Sequence, residues 1–193
     1  MSDLCVAITG GIGSGKSVVN RVLRLMGYPV YDSDEHAKLL MSYDPEVRSA
    51  LSTAFGETML TSHGIDNNAL ASLVFADKLA LSQLNAIVHP AVLKDFLSWR
   101  SCQHGLCFIE TALLHESGLD KVVERAWYVE APLETRVSRV MKRNGVAREQ
   151  VLERIKVQTV GYTDYHCPVD VLTNDDATAL IPQIIKLIEK SEL

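Results

Sequence analysis

No stretch of this 193-residue chain is long and apolar enough to span a bilayer. The opening residues, MSDLCVAITG, show no basic region leading into a long apolar run. Neither membrane anchor nor leader is expected, and the expected setting is the reducing cytoplasm. The four cysteines, Cys5, Cys102, Cys107 and Cys167, form no CxxC pair and no Cys/His set at zinc spacing. That disfavours a disulfide framework or a zinc module; Cys5 and Cys107 fall in apolar runs, where a thiol behaves as a small buried hydrophobe. A basic excess is lacking too. With 19 Lys and Arg against 24 Asp and Glu the net charge is −5, which argues against a general nucleic-acid coat but not against a small anionic substrate. There is no internal repeat and no low-complexity linker.

What remains is a soluble globular composition, 47% hydrophobic and 22% charged, long enough for one core with a substantial insertion. Five short apolar runs read as strands: Leu4–Ile8, Pro29–Tyr31, Leu106–Glu110, Ala126–Glu130 and Val169–Thr173. Val18, Val19, Val22, Leu23 and Met26 recur at helical spacing after the first run, and Gly27 stops that helix. A last amphipathic helix spans about 178 to 192. Strands separated by helices predict an α/β fold with a mainly parallel five-stranded sheet covered on both faces. Residues 35–104 differ: strand signals nearly vanish, and apolar residues return every three or four positions. Several inserted helices are expected there, broken at "YDP", "SHG" and "HP".

The segment between the first strand and the first helix, GGIGSGKS, contains G-x-x-x-x-G-K-S as Gly10, Gly15, Lys16 and Ser17. Glycines let successive backbone N–H groups turn inward onto phosphate oxygens, and the helix that starts there adds its positive end. Gly11, Ile12, Gly13, Ser14, Gly15, Lys16, Ser17 and Val18 are the expected nucleotide-binding residues, with Lys16 on the β/γ-phosphates and Ser17 on Mg²⁺. No N-K-x-D reads a guanine; TNDD (Thr173–Asp176) has no lysine beside its Asn174. ATP is the expected nucleotide.

From Arg136 to Lys156 seven basic residues stand against two acidic ones, so this window is +5 and the rest of the chain −10. Arg136, Arg139 and Arg143 share one helix face. Arginines that close over transferring phosphate neutralise its charge, and a basic lid is the expected role. Asp32 and Asp34 follow the second strand. If that strand neighbours the first, they lie at the strand ends where ligands bind in open α/β sheets, and a carboxylate there can orient a hydroxyl and take its proton. Capping of the next helix is the alternative for either one. Glu110, at a strand end, either aids Mg²⁺ or orients the acceptor.

In combination these segments resemble the dephospho-coenzyme A kinase family over nearly the whole chain: ITGGIGSGKS, VYDSDEHAK with its D-x-D, LNAIVHP, ETALLHES, the run from Ala131 to Gln158, and VDVLTND. The resemblance implies three parts: a P-loop core (1–34, 105–135 and 169–193), a helical acceptor domain (35–104) and a lid (136–168). It implies transfer of the γ-phosphoryl of ATP to the ribose 3′-hydroxyl of dephospho-CoA. Asp34, second of the D-x-D pair, is the implied base, acting with Lys16, Arg139 and Arg143. Asp32, Asp34, His89 and Glu110 are implied on the acceptor side, Asn174 near the adenine, and Ser17 on the metal. His89 is alternatively a structural residue ending its helix. The chain departs from the pattern at Glu110, Ala112, Asn144 and 159–170. The expected partner is dephospho-CoA alone, with no nucleic acid or membrane, and the protein a monomer or weak homo-oligomer. Another small-molecule or nucleoside monophosphate kinase is the nearest rival, and a slow nucleotide switch a further one. His36, His63, His104, His115 and His166 carry no expected role.

Overall fold

Strand β1 (Leu4–Thr9) is buried from its second residue to its last, as a β-branched run covered on both faces must be. The computed structural model describes residues 3–57, 60–61, 64–158 and 165–192; His63 and residues 159–164 of the expected lid lie outside them. Helix α1 (Lys16–Leu25) follows β1 and ends where Gly27 takes φ +90°. Then come β2 (Val30–Asp32), α2 (Ser33–Tyr43), α3 (Pro45–Phe55), the two-residue strands β3 (Leu60–Thr61) and β4 (Gly64–Ile65), α4 (Asn67–Ala76) and α5 (Lys78–Ser101). The rest of the chain gives β5 (Leu106–Glu110), β6 (Arg125–Glu130), α6 (Leu133–Asn144), α7 (Arg148–Val157), β7 (Val169–Thr173) and α8 (Leu180–Glu192).

The main sheet has five strands in the order β2-β5-β1-β6-β7, with β1–β5, β1–β6 and β6–β7 parallel. The fold is therefore α/β with a mainly parallel sheet. One expectation needs correction: β2 is not the neighbour of β1. β5 lies between them, so β2 stands two strand spacings, about 10 Å, from β1. The place beside the end of β1 goes instead to β5, where Ile8 pairs with Glu110.

The chain divides into two compact units, residues 1–31 with 102–193, and residues 32–101. In the first, α1 and α8 cover one set of sheet side chains. Val19 and Leu23 from α1, and Ile184 and Ile188 from α8, each one helical turn apart, join Ile8, Phe108, Trp127 and Leu172 in one buried cluster. A second cluster joins α6 to α7 through Val137, Val140 and Val151, with Ile12 packed against it.

The second unit has its own core, formed by Val47, Leu51, Ile65 and Leu70. Asp44 caps α3 by accepting from the N–H groups of Glu46 and Val47, with Pro45 in the first turn, so "YDP" does separate two helices. "HP" does not. Helix α5 runs through His89 and Pro90 without ending, which also corrects the helix-ending reading of His89. Proline there costs about 3 kcal/mol in an isolated helix. Here Val88, Val92 and Phe96, one turn apart, continue a buried stripe across it, and packing on α2, α3 and α4 offsets the loss. The short β3–β4 pair is antiparallel, a hairpin too brief to leave an alternating pattern in the sequence. A cavity of about 580 Å³ lies among α2, α3 and α5, lined by Leu40, Val47, Ile87 and Ala91 and edged by Glu46 and Lys94. It contains none of the expected site residues.

Candidate active site

The loop from Gly10 to Gly15 turns with three glycines at positive φ, +142° at Gly10, +78° at Gly13 and +100° at Gly15. At all three a side chain has no room, and a Cβ on Gly13 would stand 2.6 Å from the Arg136 carbonyl oxygen. A Cβ on Gly10 would stand 2.3 Å from the Val129 carbonyl, and one on Gly15 would stand 2.0 Å from Asn174 Nδ2. The backbone is thus pressed onto β6 and onto the end of β7, in a conformation only glycine tolerates.

The loop's carbonyls are held from outside. Arg136 Nε donates to Ile12 O at 2.9 Å, and Arg139 Nη1 donates to Gly13 O and Ser14 O at 3.3 and 3.1 Å. Asn174 Nδ2 donates to the same Ser14 O at 2.8 Å. Arg139 Nη2 turns to Asn174 O and to the carboxylate of Asp176. Holding the carbonyls outward fixes the alternating peptide planes of an anion-binding loop. Lys16 Nζ donates to Gly10 O at 2.8 Å, and Gln158 Oε1 accepts from the Ile12 N–H at 2.7 Å. Val18 N–H bonds back to Gly15 O, closing the first turn of α1. Nη2 of Arg136 is buried with no hydrogen-bond partner among the described residues, and it stands where a Cβ on Gly11 would lie, 2.2 Å away.

Glu110 accepts a hydrogen bond from Asn20 Nδ2. Asn20 lies in α1 and is buried, three positions after Ser17, so the two share one helix face. That puts the Glu110 carboxylate beside the face on which Ser17 stands. A hydroxyl and a carboxylate at the mouth of a phosphate loop are hard oxygen donors of the kind Mg²⁺ takes.

Asp32 ends β2 and caps α2, its Oδ1 accepting from the N–H groups of Asp34 and Glu35 at 3.1 and 3.0 Å. Asp34 sits in the first turn of that helix. His89 is half-buried in the middle of α5. Arg143 is exposed near the end of α6 and donates to Asn144. Of the expected residues, the loop, Lys16, Arg139 and Asn174 are bonded into one network, and Glu110 is held against α1; Arg143 bonds only locally.

Two features were not legible. Arg136, part of a basic face in the sequence, is the arginine bonded to Ile12, and Gln158 reaches the same residue from 146 positions away; no spacing signal joins them. The other feature is a cluster. His115 and His166, which carried no expected role, both turn to Asp120. Burial alone would raise the Asp120 carboxyl, but the hydrogen bonds from His166 and His115 outweigh it and hold the group below the usual aspartate value. Among the described residues no helix is long and apolar enough to cross a membrane.

The family profile for dephospho-CoA kinase matches residues 4–179. A dephospho-CoA kinase of Porphyromonas gingivalis is 39% identical over 188 residues, covering 96% of this chain and 93% of that one. A crystal structure from Thermus thermophilus is 35% identical and superposes with a TM-score of 0.78, covering 97% of this chain and 95% of that one. The dephospho-CoA kinase of Campylobacter jejuni, 21% identical with a TM-score of 0.70 over 100% of this chain and 98% of that one, shares the fold.

Proposed function

The chain belongs to the dephospho-CoA kinase family, and from that premise we infer that it transfers the γ-phosphoryl group of ATP to the ribose 3′-hydroxyl of dephospho-CoA, giving coenzyme A and ADP. The observation that carries the reading within this chain is the loop network, in which carbonyls tied outward by Arg136, Arg139 and Asn174 leave the backbone of Gly11 to Ser17 as a cradle for phosphate.

In this reading the amides of Gly11, Gly13, Gly15 and Ser17 hold the phosphates, Ile12, Ser14 and Val18 shape the loop around them through N–H bonds to Gln158, Gly11 and Gly15, and Lys16 leaves the Gly10 carbonyl to reach the β/γ-oxygens. Ser17 holds Mg²⁺, with Glu110 beside it; the ion, when bound, neutralises oxygens of the β- and γ-phosphates. Asn174 borders the adenine side. The acceptor hydroxyl is oriented by Asp34, which accepts its proton as the new P–O bond forms. One fact supports Asp34 over Asp32: both stand at the strand end, the usual ligand side of such sheets, but Asp32 already spends one oxygen on the cap of α2, whose first turn carries Asp34. Asp32 and His89 line the acceptor's approach. Arg139 and Arg143 meet the charge that develops on the transferring group. A lid over residues 136–168 excludes water, which would otherwise compete as acceptor. Residues 35–104 form the acceptor domain, and residues 1–34, 105–135 and 169–193 form the core. The setting is cytoplasmic, with no nucleic-acid or membrane partner, and the enzyme is a monomer or weak homo-oligomer.

Steady-state kinetics of Asp34→Asn and Lys16→Ala test these roles. Asp34→Asn keeps ATP affinity and loses about 100-fold or more in turnover, the scale of a lost acid–base group. Lys16→Ala loses both. Unchanged turnover in the first removes Asp34 from the mechanism, and normal activity in the second removes the phosphate grip.

A further inference from the structure

The chain between β5 and β6 and the end of the proposed lid, where it enters β7, meet at one buried carboxylate. Asp120 lies in a 3-10 turn (Leu119–Lys121) and is 1% exposed. It is the only acidic side chain among the buried polar residues described. Its Oδ2 faces His115 Nδ1 at 2.9 Å and His166 Nδ1 at 2.7 Å, and also accepts from the His166 backbone N–H at 3.3 Å. Its Oδ1 is equally buried and has no hydrogen-bond partner among the described residues. The two imidazoles lie 12° from parallel with centroids 5.7 Å apart, and Tyr165 stacks on His115 at 6.4 Å.

This is an uneven arrangement for a purely structural carboxylate. One oxygen carries three donors while the other, taken from water, has none, which costs free energy in a fold with no compensating bond. A cation seated on this carboxylate would take the imidazole nitrogens crowded at Oδ2 as ligands and place a positive charge beside the unpaired Oδ1. One ligand atom from each of the three residues lies within 4.8 Å of the others, and the histidine side chains are about half exposed, 46% and 51%, which leaves a route in from solvent. Two imidazoles and one carboxylate make a borderline nitrogen-rich set. Zn²⁺ and its neighbours favour it, whereas Mg²⁺ prefers all-oxygen shells. We propose that His115, Asp120 and His166 form a binding site for a divalent transition metal of the Zn²⁺ type, which clasps the segment entering β7 to the segment leaving β5.

Metal–ligand bonds of about 2.0–2.1 Å in tetrahedral geometry set neighbouring ligand atoms about 3.3 Å apart. The rings therefore move out by roughly half an ångström from Oδ2, and the two nitrogens, now within 4.8 Å of each other, close to that spacing by rotation of the half-exposed side chains. Each Nδ1 proton passes to Nε2 or to solvent as the metal bond forms. A fourth position stays open to water. The ion binds the folded arrangement and not the separated segments, so it stabilises the fold. Tyr165, stacked on His115, hydrogen-bonds to Thr9 at the end of β1, so the clasp stands beside the start of the phosphate loop, but metal binding is read out without nucleotide and does not rest on the reaction assigned to that loop.

The test uses nucleotide-free, chelator-treated protein in a Cys102→Ser background, which removes the one exposed thiol. Co²⁺ is titrated while visible d–d absorption is followed, Zn²⁺ is used to displace it, and thermal melts are run with Zn²⁺ and with chelator. The expected result is one equivalent of Co²⁺ in a four-coordinate spectrum, displaced by Zn²⁺, with a melting temperature that rises on Zn²⁺ addition. His115→Ala and His166→Ala, both at exposed positions, should each weaken Zn²⁺ binding by about 100-fold or more, since even outer-shell changes cost 10–100-fold, and should abolish the Zn²⁺-dependent rise. Absence of the spectrum, equal Zn²⁺ affinity in parent and His166→Ala, or a destabilisation of His166→Ala that is the same with chelator as with Zn²⁺ overturns the proposal. The last of these would leave Asp120 as a metal-free hydrogen-bonded clasp.

Discussion

Replacing Arg139 by Ala separates the roles of Arg139 and Arg143 on α6, because Arg139 is tied to the loop and Arg143 bonds only to Asn144. Arg139 is about a quarter exposed and donates to the carbonyls of Gly13, Ser14 and Asn174, besides meeting Asp176. The pair with Asp176 counts for little, since that carboxylate is 69% exposed and screened by solvent. Hydrogen bonds from a charged donor to a carbonyl contribute about 1.5–3 kcal/mol each. Here Gly13 and Ser14 share one nitrogen at 3.1–3.3 Å, and Ser14 O keeps Asn174 as a second donor, so the low end applies. About 2 kcal/mol of loop order is lost, which appears as a roughly 30-fold weaker Mg-ATP affinity. Calorimetric titration of Mg-ATP into Arg139→Ala, Arg139→Lys and Arg143→Ala reads it. Lys keeps the charge but not the two-pronged geometry and should recover little. Arg143→Ala, whose hydrogen bond goes to Asn144, should bind Mg-ATP as the parent does and lose at least about tenfold in turnover, as removal of a transition-state donor does. Arg139→Ala that binds Mg-ATP within about threefold of the parent, while turnover collapses, would refute the clamp and make Arg139 a transition-state residue alone.

Two further substitutions test the packing and the charge network. Gly15→Ala places a Cβ against Asn174 Nδ2 at φ +100°, costing about 1–2 kcal/mol in backbone strain and about 1 kcal/mol for the displaced Asn174 bond; the melting temperature should fall by roughly 5–10 °C, and by less when Asn174→Ala is already present. Equal losses in both backgrounds would show that the contact does not matter. Asp170 is partly buried: burial alone would raise its carboxyl, but hydrogen bonds from Lys190 and Arg125 outweigh it and hold it below the usual value. Its ionised form is favoured by folding, so its contribution is full above pH about 4 and is lost as pH falls below that. Asp170→Asn should therefore cost about 1–2 kcal/mol at neutral pH, by denaturant unfolding, and the gap should close on acidification; a gap that widens in acid would reverse the assignment.

The sheet and the phosphate loop were legible because their signals are local. Leu4–Ile8 and Leu106–Glu110 are continuous apolar runs that can hardly be anything but buried strands, and the glycines between β1 and α1 announce a backbone that other residues cannot adopt. Strand order was not legible: nothing within PVY indicates that β5 comes between it and β1, because order is set by how distant segments pack. The break at Pro90 failed for a related reason. Local preference says the helix stops, and the buried line from Val88 to Phe96 overrides it. Capping by Asp32 was open in the sequence, and the bonds to Asp34 and Glu35 now place that residue. His115 and His166 looked scattered because His166 is 46 positions from Asp120, a partner found only once β5 and β7 are in one sheet.

The central claim is that ATP loses its γ-phosphoryl group to dephospho-CoA on this protein. ADP release by purified protein with Mg-ATP, measured with and without dephospho-CoA and followed by mass analysis of the product, tests it most directly. Release should depend on dephospho-CoA, and the product should have the mass of coenzyme A. Release that dephospho-CoA does not stimulate, from protein that still binds ATP, would contradict it and turn attention to nucleoside monophosphates or other acceptors on the same fold.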